Sequence, residues 1–474
     1  MRAAIAISCL ALGVGVILFV PTIVAPFELD YGKVTTVDCA KAVAMCAFAA
    51  LIAGFIISRN REHGSFLLKL FVLALLVRLV IGTVIFIFRL QDFFGGDAWA
   101  YNAFGFHQLQ AWGGDRYAQI RVDQFTGTGF YSGWGMVYLV AAIYGVIGRN
   151  MLAIQFLNSV LGAATAPLVF MIAHEVFKNR RVAILAGIAV GFYPSMVLWS
   201  AQGLKDGPIV FFLTLSILAT LKIGQRFSGL YLSVLILSLF GILSFRFYVF
   251  YMLLVAIVGS FIVGMRKMDA QSLFRQFLVI ILLGLALTYL GVTRYASVQI
   301  DRYANLQTMQ LSRLDAATSA QSGFGQDVDV STTSGALATI PMGVVYLLFA
   351  PFPWQLGSLR QSITLPEMIV WWAVFPLLVL GLWFSLKHRL RQMMPILIFT
   401  SMLTLAYSIF QGNVGTAYRQ RAQLLVFYFI FVGVGAVLVK EKREDRRRRA
   451  AEKLRLASAH LKATLLTRRP PEHV

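Results

Sequence analysis

From Phe66 to Phe88 the chain is nearly all Leu, Val, Ile, Ala and Phe, broken only by single residues such as Lys69 and Arg78. A run of that length can satisfy its backbone polar groups inside a bilayer only as a helix. Comparable runs recur along almost the whole sequence, which is 58% hydrophobic, 13% charged and has a mean hydropathy of +0.74. These values exclude a soluble domain and predict an all-α polytopic membrane protein. The net charge of +21 does not point to nucleic acid. Its Lys and Arg residues fall in short turns between apolar runs and in the last stretch of chain, as cytoplasmic loops do.

That charge pattern sets the expected topology. Apolar runs at 3–25, 38–57, 66–90, 150–176, 182–200, 207–225, 229–245, 247–265, 276–292, 367–386, 393–410 and 422–440 predict about twelve transmembrane helices. Two further apolar segments, 132–148 and 338–353, are short and broken by Gly or Pro. Arg59 and Arg61 mark the turn after the second run as cytoplasmic. Reading 132–148 as a juxtamembrane helix brings Lys178 to Arg181, Lys222 to Arg226, Arg266, Lys267 and Arg275 to that side. Reading 338–353 as re-entrant or interfacial does the same for Lys387 to Arg391 and the basic tail. Residues 1–440 then form one transmembrane unit with external segments at 91–148 and 293–366, the latter holding a lid-like or disordered stretch at 293–337. Residues 441–474 form a basic cytoplasmic tail suited to anionic headgroups, and both termini lie inside. The first run imitates a signal peptide but lacks a small-residue cleavage site, so it reads as a retained span. Cys9, Cys39 and Cys46 are too few and too odd in number for a disulfide framework. No internal repeat of the inverted-transporter kind is visible.

On this topology the external side collects the residues that can do chemistry. Gly95-Gly96-Asp97-Ala98-Trp99-Ala100-Tyr101 follows the third span, so Asp97 sits just outside the hydrocarbon with Trp99 and Tyr101 as interfacial rings. An acid there can take a proton from a substrate hydroxyl, while Asp92, Asp115 and Asp123 read as solvated loop acids. Lys205-Asp206 stands between two spans; Asp206 suits either a divalent cation, such as magnesium or manganese (Mg or Mn), or the N-terminus of the helix that follows. Arg419 and Arg421, after Tyr418, could clamp a phosphate or simply anchor at the interface. Glu367, after Pro366, reads first as a helix N-terminal acid, and His107 as an interface histidine. Glu367, His107, Trp99, Tyr101 and Tyr418 remain possible substrate contacts. No Walker loop, dinucleotide fingerprint or His/Cys metal cluster occupies a usable position.

The order of motifs from Tyr131 to Phe212 resembles bacterial members of the GT-C superfamily of membrane glycosyltransferases. These members include relatives of the dolichyl-phosphate-mannose protein mannosyltransferases and the aminoarabinose transferases. An acid in the first external loop (Asp97) precedes a Tyr-rich juxtamembrane helix, then Asn158-Ser159-Val160-Leu161-Gly162, Phe177-Lys178-Asn179-Arg180-Arg181, Tyr193-Pro194 and Leu204-Lys205-Asp206. The resemblance implies that Asp97 is the catalytic base. It implies that Asp206 stands near the donor phosphate or a metal, and that Arg419 and Arg421 are the late-chain arginines of the donor phosphate. The chain departs from the pattern in its single first-loop acid, its two extra early spans and the lack of a large soluble domain after the last span.

The expectation is therefore an inverting glycosyltransferase of a bacterial inner membrane, with an extracytoplasmic site. It would move a sugar from a polyprenyl-phosphate carrier to a hydroxyl of a glycan, lipid or protein, with Asp206 and Lys205 organising the donor. Two alternatives stay open: an O-antigen-type polymerase or ligase using polyprenyl diphosphate glycans, and a transporter or flippase for a lipid-linked sugar.

Overall fold

The computed structural model describes residues 32–94, 96–127, 133–263, 270–292, 305–318 and 322–467, with a few single positions outside these ranges. Apart from a two-residue antiparallel pair, Glu28–Leu29 with Gly32–Lys33, the described chain is helical. Seven helices among the described residues are long and apolar enough to cross a membrane: Thr36–Ser58, Gly64–Ile87, Met151–Phe177, Asp206–Gln225, Leu359–His388, Leu390–Phe410 and the apolar part of Ala422–Thr467. The bent pair Arg180–Phe192 and Pro194–Ser200 makes an eighth if counted as one span. The chain is thus a helical, multi-pass membrane protein. Gly229–Phe245, Phe247–Val263 and the apolar part of Ala270–Tyr289 fall on three other expected runs but are shorter. The expected span at 3–25 lies almost wholly outside the described residues, as do Gly95, Tyr131, Ser132 and Cys9.

Side-chain contacts define two ends of the bundle. At one, Glu175 accepts hydrogen bonds from Lys178, Lys222 and Gln225, and Arg181 reaches Glu444 at 3.7 Å. At the other, Arg419 joins Asp97 to Asp206. The Asp206–Gln225 helix runs from one end to the other, and its 20 residues span about 30 Å. The basic turns and the acid–arginine cluster are therefore kept a membrane thickness apart.

The two short segments form the helices Trp134–Ile147 and Thr333–Phe349, and both make contacts at the second end. Trp134–Ile147 begins beside Phe245 and Lys205, and just after it Asn150 donates to the Asp38 carbonyl at 2.7 Å. It packs on Asp97–Trp112, where a Cβ at Gly105 would come within 2.3 Å of Val140. Thr333–Phe349 is tied to the same end at both extremities. Val330 N–H donates to Gln310, and Ala350 and Leu348 carbonyls accept from Arg421 and Trp371.

The expected span at 182–200 is broken. Tyr193 turns extended and Pro194 starts a new helix bent by 52°. Pro194 has no N–H, so the Val190 carbonyl loses its helical donor, and the turn at Tyr193 frees the next one. Buried Arg78 repairs both, donating to Gly191 O at 2.7 Å and Val190 O at 3.4 Å, and to Ser200 Oγ at 2.8 Å. Side chains must do this where no water can. A Cβ at Gly162 would lie 2.4 Å from Ser200 and 2.9 Å from Arg78 Nε, so only glycine leaves room for the guanidinium.

Three other expectations change. The helix carrying Glu367 starts at Leu359, where Ser358 accepts from Gln361 N–H. Glu367 is thus mid-helix and buried, not an N-terminal acid. The stretch 293–337 contains the helix Leu306–Thr318, pinned by Arg313 donating to the Gln411 carbonyl. The last span runs into the basic tail without a break, as one helix Ala422–Thr467, because the tail's Ala, Leu, Glu, Lys and Arg are strong helix formers.

Candidate functional site

Three local structures converge on the cluster. Gly96 ends the loop, and Asp97 is the first residue of Asp97–Trp112, where a carboxylate complements the helix dipole. Asn158, deep in Met151–Phe177, donates to the carbonyls of Gln202 and Leu204 at 2.7 Å each. That pair of bonds shapes the turn presenting Lys205 and Asp206. Asn413 caps the short helix Val414–Gln420 by accepting from Gly415 N–H at 2.8 Å, which sets Arg419 on its last turn.

Arg419 then bridges the acids. Its Nε donates to Asp206 Oδ2 at 2.6 Å and its Nη1 to Asp97 Oδ2 at 2.5 Å. The carboxylates differ sharply in setting: the Asp97 side chain is 55% exposed, that of Asp206 only 2%. Asp206 does not cap its helix; its charge is directed to Arg419 instead. Arg246 approaches from the junction of two apolar helices, with Nη2 3.6 Å from Asp206 Oδ1. Beside the cluster opens a cavity of about 230 Å³ lined by Asp97, Ala100, Tyr101, Phe125, Lys205, Arg246, Thr416, Arg419 and Gln420. It holds a carboxylate, three cationic side chains and an aromatic wall. Burial pushes the Tyr101 hydroxyl well above its usual range, leaving it a neutral donor.

Lys205 is the one cation here that titrates near neutrality. Burial, followed by the like charges of Arg246 and Arg419, pulls its ammonium down to about 7, against the opposing pull of Asp206 and Asp97. A bound anion would favour the protonated form and raise that value again. Anion affinity should therefore be full below pH 7 and weaken as pH rises through it, by up to about tenfold per unit for one linked proton. Lys205→Met should flatten that slope. Titrating a phosphate-ester ligand against wild type and variant between pH 6 and 9 checks it, and equal slopes in both would refute it.

Not every expected residue joins the cluster. Arg421 is buried and turns away, donating to the Ala350 carbonyl and lying 5.4 Å from the Tyr418 ring centroid. Tyr418 donates to Glu367 Oε2 at 2.8 Å, so Tyr418, Glu367 and Arg421 form a second buried group behind the site. Trp99 carries Arg89 over its face at 5.4 Å, and its indole N–H is buried without a hydrogen-bond partner. His107 pairs with Gln110 at 3.1 Å on its own helix and does not line the cavity. Reading the sequence overlooked Arg246. The signal was a single arginine breaking the apolar stretch 229–265, at Ser244-Phe245-Arg246-Phe247.

A divalent cation suits this donor set poorly. Asp206 Oδ1 lacks a hydrogen bond, but it faces Arg246, and both Oδ2 atoms are held by Arg419. The two remaining carboxylate oxygens, Asp97 Oδ1 and Asp206 Oδ1, stand among Arg419, Arg246 and Lys205 and are far from the six or more oxygens such ions prefer. The same charges suit an anion well.

The chain matches no family model and no curated protein.

Proposed function

We propose that this protein is an inverting glycosyltransferase that transfers a sugar from a polyprenyl-phosphate carrier to a hydroxyl of a glycan, lipid or protein. The observation that carries the reading is the pairing of one solvent-facing carboxylate with two arginines and a lysine around a single cavity at one end of a membrane bundle. The resemblance of the Tyr131–Phe212 motifs to the GT-C superfamily supports it.

Each side chain has a part in the displacement. The acceptor O–H gives its proton to Asp97 as its oxygen bonds to the anomeric carbon. The bond from that carbon to the phosphate oxygen breaks on the opposite face, and the pair goes to the polyprenyl phosphate. Arg419, Arg246 and Lys205 stabilise the charge that grows there. Asp206 acts through Arg419, holding it in place. The lipid tail of the donor stays in the bilayer while its head enters the cavity.

The proposed topology counts the bent pair and the three shorter apolar helices as spans, with one more near the N-terminus, for twelve. Both termini are then cytoplasmic and the cavity faces outward across a bacterial inner membrane. In a background without native cysteines, Arg116→Cys should react with an impermeant thiol reagent added to intact cells, and Arg180→Cys should not. The reverse pattern would put the site in the cytoplasm and exclude the proposal.

Arg246 also favours a second reading, an O-antigen-type polymerase or ligase that works through arginines and needs no carboxylate base. Buried Arg78 gives no support to a transporter, since its donors are taken up by Ser200 Oγ, the Ala74 carbonyl of its own helix and the Gly191 and Val190 carbonyls of the helix break. The deciding test incubates purified protein with a panel of polyprenyl-phosphate and polyprenyl-diphosphate sugars and an acceptor mixture. Consumption of a monophosphate donor is the expected result. Turnover of diphosphate glycans alone would favour the polymerase, and consumption of neither would overturn both.

A further inference from the structure

The opposite end of the bundle carries a second constellation, untouched by the reading above. Glu62 and His63 close the turn between Thr36–Ser58 and Gly64–Ile87, and His174 sits on the last turn of Met151–Phe177. We propose that Glu62, His63 and His174 bind one divalent transition-metal ion, with zinc the best match to the ligand set.

The geometry is specific. His63 Nε2 and His174 Nε2 lie 3.4 Å apart, and Glu62 Oε1 lies 3.3 Å from His63 Nε2. Ligand atoms from all three fall within 4.8 Å of one another. A nitrogen pair at 3.4 Å lies at the outer edge of hydrogen-bond distance. It is the separation that a tetrahedral ion imposes, since two bonds of roughly 2.0–2.1 Å at the tetrahedral angle put their ends about 3.3–3.4 Å apart.

The rings are also fixed before any ion arrives. His63 meets the Phe170 ring edge-on at 5.1 Å and His174 stacks on it at 6.0 Å. The His63 backbone N–H donates to Asn60 Oδ1 at 2.9 Å, and its side chain takes no part in capping the helix that follows. Glu62 and His63 border a cavity of about 460 Å³, with room for water to complete the coordination. Lys69 and Arg180 on the same cavity weaken the attraction, so a cation must be held by direct ligation and not by the local field. Two imidazoles beside one carboxylate form a set that zinc takes, whereas magnesium and calcium prefer oxygen donors to imidazole nitrogen. The ion would staple the first hairpin to a helix 111 residues later in the chain.

The test uses full-length protein in detergent, purified without a polyhistidine tag and stripped with a chelator. Cobalt, an optical stand-in for zinc, should bind at one ion per chain with the visible absorption of a tetrahedral site, and zinc should displace it. His174→Ala should abolish the signal. Glu62→Gln, at an exposed position, removes a direct ligand and should weaken binding by more than the roughly 10–100-fold that loss of an outer-shell partner costs. His107→Ala and His388→Ala should change nothing. Absence of saturable binding to wild type, or binding that survives His174→Ala, would overturn the proposal.

Discussion

Asp97→Asn should lower turnover by about 100-fold or more while leaving donor affinity and thermal stability close to those of the parent. Asn keeps the shape of Asp and can still accept a hydrogen bond from Arg419, but it cannot take the acceptor proton. Among the described contacts only Oδ2 of Asp97 is engaged, by Arg419 Nη1, which leaves Oδ1 for the acceptor. The side chain is more than half exposed, so losing its ion pair costs little stability. The defect should appear in kcat and not in donor binding, because a general base acts mainly in the transition state. Asp92→Asn and Asp115→Asn are the controls. Asp115 is spent on the N–H groups of Tyr117 and Ala118, and neither acid lines the cavity. Wild-type turnover in Asp97→Asn would remove the base assignment and favour the arginine-centred polymerase.

Arg419→Gln should be worse, because it damages both fold and site. It leaves Asp206, 2% exposed, with Arg246 at 3.6 Å and neighbouring Lys205 as the remaining cations near it. Removing one partner of a buried ion pair costs about 3–5 kcal/mol. Donor affinity should fall as well, by about 2–5 kcal/mol for a desolvated charge pair. Arg421→Gln separates the two effects: it loses its bond to the Ala350 carbonyl and its stacking on Tyr418 but borders no part of the cavity. It should lower thermal stability and leave donor affinity unchanged. Calorimetric unfolding and donor titration on both variants check this. Equal loss of donor affinity in the two would mean that the buried group behind the cavity also serves the donor.

How much of this was legible in the sequence depends on range. Apolar runs are local signals, and seven of the expected runs coincide with helices long enough to cross a membrane. Trp134–Ile147 and Thr333–Phe349 are two of five shorter apolar helices among the described residues. Asp97, Asp206 and Arg419 were legible as members of one end because the charge rule sorts loops by side, and the structure joins them across 322 residues. Arg421 was not separable from Arg419, two positions away. Which of two nearby arginines faces a cavity depends on helix phase at Val414–Gln420, and nothing in Tyr418-Arg419-Gln420-Arg421 declares that phase. Arg246 was overlooked because a lone cation between apolar runs marks the end of a span equally well. The bend at Tyr193-Pro194 was visible as a motif, yet its support by Arg78 required knowing that two distant spans touch. The pairing of His63 with His174 was hidden for the same reason.

The formal charges around the cavity bear on the kind of head group it can admit. Two acids, Asp97 and Asp206, stand against Arg419, Arg246 and Lys205, so the walls are one positive in excess when Lys205 holds its proton and even when it does not. A sugar joined to a polyprenyl monophosphate is a diester with a single negative charge, which the protonated wall cancels in full. A diphosphate brings a second charge that no further cation among the described lining residues answers. Selection between the two carriers would then rest on electroneutrality, and a single added cation, as in Thr416→Lys, is the change that would tilt the cavity toward the doubly charged one.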